Sequence, residues 1–114
     1  MPGRRSKQKG ARGEREWRDY LRVYGYEAIR GRQYSGGDDS PDVKTELDGL
    51  VHFEIKRVER LSIHAAMAQA TEDAPEEAMP VVAHKRNRGD WLITLNAGDF
   101  LWMLKQVHPP ASQD

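Results

Sequence analysis

On either side of Asp48-Gly49 the chain alternates between apolar and polar residues. Val43 lies upstream and Val51, Phe53 and Ile55 downstream, with Asp42, Glu54 and Lys56 in the intervening polar positions. A period of two marks half-buried strands, and Asp-Gly is a strong hairpin-turn signal. The pattern predicts an antiparallel hairpin over roughly residues 41–58 and restricts its register. A two-residue loop at Asp48-Gly49 would set Asp42 opposite Ile55 and Val43 opposite Glu54, mixing the apolar face with the polar one. A three-residue loop, Leu47-Asp48-Gly49, with Gly49 left-handed in a bulge, pairs Glu46 with Leu50, Thr45 with Val51, Val43 with Phe53 and Asp42 with Glu54. A one-residue slip inverts every side chain. This second register therefore gathers Val43, Val51, Phe53 and Ile55 on a core face and Asp42, Glu54 and Lys56 on the other.

Two carboxylates and a lysine on one sheet face suit metal-dependent phosphodiester hydrolysis. Mg²⁺ takes oxygen ligands from one or two carboxylates plus phosphate, and a neighbouring ammonium can orient a water or steady charge at the phosphorus. A Glu-x-Lys triplet alone is common on exposed strands, where the two residues alternate. The preceding Pro41-Asp42 and the hairpin spacing carry the reading beyond that.

At 114 residues the chain predicts one domain with a single modest core, and the absence of cysteine removes disulfides and thiolate metal sites. No apolar run approaches membrane-spanning length and the basic N-terminus has no apolar stretch behind it, so the expectation is a cytoplasmic protein. The net charge is zero but unevenly spread. Residues 1–34 carry ten Lys/Arg against four Asp/Glu, and residues 35–80 carry four against eleven. A basic region beside an acidic centre suits a polyanion surface around a carboxylate-bound cation, although a solubilising tail beside an acidic surface has the same pattern.

The remaining signals predict the order α-β-β-β-α-β-β-α, an α/β (α+β) domain with a mixed central sheet flanked by helices. Residues 1–10 read as a mobile basic arm, 11–108 as the single domain and 109–114 as a disordered tail. A first helix spans about Ala11 to Tyr24, with Trp17, Tyr20, Leu21 and Tyr24 at helical spacing and Gly25 ending it. A short strand, Tyr26 to Arg30, precedes a polar loop over 31–40. After the hairpin, Ser62 reads as the N-cap of a helix over His64–Asp73. Strands over Pro80–Lys85 and Asp90–Leu95 flank a basic turn, and Asn96 caps a last helix whose Phe100, Leu101, Leu104 and Val107 are expected to face the sheet. His52, His64, His84 and His108 show no ligand spacing and read as ordinary surface or core residues. Trp91 and Trp102 read as core or dimer contacts.

The stretch Lys9-Gly10-Ala11-Arg12-Gly13-Glu14-Arg15, then Ser35-Gly36, Pro41-Asp42 and Phe53-Glu54-Ile55-Lys56-Arg57 resembles the PD-(D/E)xK nuclease superfamily. More narrowly, it is similar to the archaeal-type Holliday junction resolvases, which also occur in phages. The resemblance implies a restriction-endonuclease-like fold. It also implies a metal site in which Asp42, Glu54 and the main-chain carbonyl of Ile55 are joined by Glu14, with Lys56 positioning the nucleophilic water. Glu16 is the rival to Glu14, and lies about 200° further round the helix; the Lys-Gly spacing favours Glu14. Ser35 matches a family serine near the scissile phosphate, and an ordinary glycine-loop serine is the alternative. Gln69 sits where many superfamily members carry a helix glutamine, with an exposed or capping role as the alternative.

The function so implied is a Mg²⁺-dependent endonuclease (Mn²⁺ as a substitute) that resolves four-way junctions in branched DNA by paired cleavage and acts as a homodimer in the cytoplasm, or in the host cytoplasm if phage-encoded. Arg4, Arg5, Lys7, Lys9, Arg30, Arg32, Tyr34 and Arg57 are the expected DNA contacts. The alternatives are another small nuclease of the superfamily (nicking, flap or repair), a non-catalytic DNA-binding module of the same fold, and a protein-interaction subunit using the last helix.

Overall fold

The computed structural model describes residues 2–30 and 43–111, the side chains of residues 2–9 and Arg30 excepted. Its elements follow the expected order: α1 (Pro2–Val23), β1 (Ala28–Arg30), β2 (Val43–Thr45), β3 (Val51–Arg57), α2 (Ile63–Asp73), β4 (Met79–Lys85), β5 (Leu92–Leu95) and α3 (Ala97–Val107). The fold is α+β, with a mixed three-stranded sheet and a two-stranded one. Helix α1 starts at Pro2, where a proline's missing N–H costs nothing, so its backbone runs on through the residues read as an arm. Gly25 ends it in a left-handed conformation, φ 92°.

Strand β3 pairs in parallel with β4, Glu54 opposite Val82 and Lys56 opposite His84. Strand β5 adds antiparallel to β4. Helix α2 is the crossover between the parallel strands, and its Ala66 and Ala70 pack on fully buried Val82. The other face of the sheet receives α1. There Trp17, Leu21, Ala28, Val43 and Ala83 form one buried cluster, with Phe53, Ile55 and Trp91 packed against it. Trp17 meets Phe53 edge-on at 5.2 Å between ring centroids, a favourable aromatic geometry.

Gly13 allows the helix to approach this closely. A Cβ there would lie 3.0 Å from Cβ of Arg57 and 3.6 Å from Cγ2 of Ile55, so α1 rests almost backbone-first on β3.

The expected 41–58 hairpin does not form among the described residues. β2 takes its ladder partner from β1, with Arg30 opposite Val43 and Ala28 opposite Thr45, and no β2–β3 ladder is present. Gly49 is not left-handed. The local cause lies in the turn. The Asp48 carboxylate accepts from Thr45 N at 3.1 Å, and Thr45 Oγ1 accepts from Leu47 N at 2.8 Å. The amides of both Leu50 and Val51 donate to Leu47 O at 2.9 Å. Side-chain-to-backbone bonds of this kind compete with ladder formation and coil residues 46–50 into successive turns. The apolar half of the expectation survives, because Val43, Phe53 and Ile55 still share one core.

Helix α3 departs from expectation more sharply. It contains no buried residue. Phe100, Leu101, Leu104 and Val107, expected to face the sheet, are exposed at 49%, 56%, 42% and 84%. The three-stranded sheet's α2 face is already covered through Val82 and its α1 face through Ala83, so among the described residues neither face of that sheet is left for the last helix.

Candidate active site

Strand alternation divides β3 into two chemically distinct rows. The odd residues turn toward α1. The even residues, His52, Glu54 and Lys56, turn toward α2, whose last residue, Asp73, approaches them. Glu54 is mostly buried, with 13% side-chain exposure, and its Oε1 lies 3.8 Å from Nζ of half-exposed Lys56. Among the described residues β3 is the outer strand of its ladder.

Glu14 is buried at 8% exposure. It sits one turn before Trp17 on the ridge that continues to Leu21, and that ridge packs against Ala28 and Val43. Glu16, its rival, belongs to a different arrangement. Arg57 Nε donates to both Glu16 oxygens at 3.3 Å, Arg12 Nε donates at 2.9 Å, and Lys85 Nζ lies 3.6 Å away. Burial opposes ionisation of Glu16, but the Arg57 hydrogen bonds and charge, with Arg12 and Lys85, outweigh it and hold the carboxyl below its ordinary 4.5. Three cations already neutralise Glu16, which leaves it poorly suited to ligate another.

The same network corrects the assignment of Arg57 to DNA. Its guanidinium is buried with 5% side-chain exposure, donates to Glu16, and donates through NH1 to Asn87 Oδ1 at 2.8 Å. A cation enclosed in this way braces β3 against α1 and the β4–β5 turn. Trp91 joins the core beside Trp17, while Trp102 stays half exposed.

Asp42, Ser35, Arg32 and Tyr34 lie outside the described residues, as do the side chains of Arg4, Arg5, Lys7, Lys9 and Arg30.

His52, expected to be an ordinary surface or core residue, and Asp73, expected only to end a helix, come together with Glu54. One ring nitrogen of His52 and one carboxylate oxygen each from Glu54 and Asp73 lie within 4.8 Å of one another. Nε2 of His52 is buried without a hydrogen-bond partner. Gln69, one turn back on α2, donates Nε2 to Asp73 Oδ2 at 2.7 Å. The available signal was the alternation itself: His52-x-Glu54-x-Lys56 puts all three on one face, whereas a search for sequence-local ligand spacing overlooks a partner delivered by the crossover helix. A donor set of two carboxylates and an imidazole nitrogen fits a divalent cation.

None of the described helices is long and apolar enough to cross a membrane. The family model described as archaeal Holliday junction resolvase (Hjc) matches residues 5–97. No curated protein and no solved structure matches the chain.

Proposed function

Because the chain belongs to the archaeal Holliday junction resolvase family of the PD-(D/E)xK nucleases, we propose that it is a Mg²⁺-dependent endonuclease that resolves four-way DNA junctions by paired phosphodiester hydrolysis. The observation that carries this reading is the pairing of mostly buried Glu54 with Lys56, 3.8 Å apart on one face of an outer strand. A mostly buried carboxylate favours positive charge nearby, and the half-exposed ammonium beside it can reach solvent and substrate.

Asp42, Glu54, Glu14 and the Ile55 carbonyl would hold the cation, for which Mn²⁺ could substitute. When bound, the cation supplies positive charge to the scissile phosphate and acidifies a water. Lys56 orients that water and screens the phosphate's negative charge. Ser35 contacts the scissile phosphate. The products carry 5′-phosphates.

Arg4, Arg5, Lys7, Lys9, Arg30 and Arg32 hold backbone phosphates and Tyr34 adds a further DNA contact, so affinity falls steeply with salt. Two symmetric incisions need two active sites, and hence a homodimer. The exposed apolar residues of α3, Phe100, Leu101, Trp102 and Leu104, support self-association. The setting of this activity is the cytoplasm.

The test is cleavage of labelled four-way junctions against linear, nicked and flap DNA of matched sequence, in Mg²⁺ or EDTA, beside Asp42→Asn. Paired cuts confined to the junction and lost in the variant are expected. Metal-dependent cutting of every substrate would reduce the protein to a general nuclease, and tight junction binding with no cleavage would leave a binding module.

A further inference from the structure

The His52–Glu54–Asp73 cluster has a composition that Mg²⁺ does not require. Mg²⁺ prefers an all-oxygen octahedral shell, whereas an imidazole nitrogen with two carboxylates suits a borderline transition cation such as Zn²⁺. The three donor atoms already lie within 4.8 Å of one another, so small side-chain rotations would bring them around one ion. The buried, unpartnered Nε2 shows that this imidazole is not satisfied by the fold alone. Asp73 is exposed, yet the 2.7 Å bond from Gln69 fixes its carboxylate, the kind of outer support that metal-ligating carboxylates receive.

We propose that His52, Glu54 and Asp73 form a transition-cation site on the α2 side of β3, sharing Glu54 with the site that the proposed nuclease function needs. It differs from that site in its ligands, its side of the strand and its preferred ion. Gln69 acts as a positioning residue by holding Asp73. The proposal rests on the nuclease reading only in that Glu54 serves both sites, and its readout involves neither DNA nor cleavage.

The experiment is isothermal titration of the metal-free chain with ZnCl₂ for the wild type, Asp42→Asn, His52→Gln and Asp73→Asn. The wild type and Asp42→Asn should share a Zn²⁺ equivalent that both His52→Gln and Asp73→Asn lose. Gln69→Ala should weaken that equivalent about tenfold. Asp73→Asn alters an exposed helix end, so it tests the site even if the His52 variant folds poorly. Zn²⁺ binding unchanged in Asp73→Asn, or abolished by Asp42→Asn alone, would overturn the proposal. A failure of junction cleavage would instead count against the nuclease reading and leave this measurement standing.

Discussion

The two faces of β3 use the same seven residues for opposite purposes. On the α1 face, Gly13 brings the helix nearly into backbone contact, Phe53 and Ile55 pack beneath Trp17, and Arg57 is locked to Glu16 and Asn87. The Arg57 and Glu16 charges there are matched inside the protein. On the α2 face, His52 has an unpartnered nitrogen and Lys56 stands half exposed. The difference teaches that burial of a charged residue is not itself a functional signal. Arg57 and Glu54 are both enclosed, three positions apart on opposite faces, and what separates them is the company they keep: Arg57 is locked among Glu16 and Asn87, whereas Glu54 stands beside a half-exposed lysine and an imidazole with an unpartnered nitrogen.

Substitution on each face can break this contrast. The largest effect is expected from Glu54→Gln and Lys56→Ala, each lowering junction cleavage about 10³-fold, measured under single turnover, with the thermal midpoint nearly unchanged. Arg57→Ala should do the reverse. Removing a buried cation from Glu16 and Asn87 should cost about 3 kcal/mol in urea unfolding, with the chemistry retained in the folded fraction. Gly13→Val should lose about 2 kcal/mol by the same assay, because a branched side chain cannot fit against Cβ of Arg57.

Acid sharpens the comparison further. The folded Glu16 carboxyl titrates below its ordinary 4.5, so its ion pairs stabilise the protein above that value and the contribution is lost as pH falls through the folded pKa. Burial lowers His84 below its ordinary 6.5, so the unfolded chain takes up this proton first and stability also declines as pH falls below 6.5. Thermal midpoints should therefore drop from pH 7 toward pH 4, and Glu16→Gln should flatten the lower part of that slope. Smallest of all, Leu101→Ser should change monomer stability by less than about 0.5 kcal/mol, while light scattering reports loss of the dimer.

Much of this contrast was legible in the sequence. Strand alternation alone put Glu54 and Lys56 on one face with Phe53 and Ile55 on the other, and the turn and cap residues delivered the element order. Ser62 and Asn96 do occupy the N-cap positions, although neither side chain makes a capping bond. The pairing partner of β2 was not legible, because Asp48-Gly49 signals a turn without specifying whether Asp48 will close a hairpin or bind Thr45. Arg57 read as a DNA contact since its partners, Glu16 and Asn87, lie 41 and 30 positions away in sequence. Asp73 escaped for the same reason: α2 brings it back to β3 from a distance that no local spacing encodes. The stripe on α3 correctly marked an apolar helix, but periodicity does not say whose surface covers it.

That last helix also bears on cooperativity. Eleven residues is short for a helix to hold its structure in water without tertiary support, and α3 buries none of them. Its amide hydrogens should then exchange with solvent far faster than those of β4, and the rate should slow as protein concentration rises. A segment that orders only when two chains meet would tie the local unfolding of α3 to assembly, leaving the sheet and its site to unfold as a separate unit.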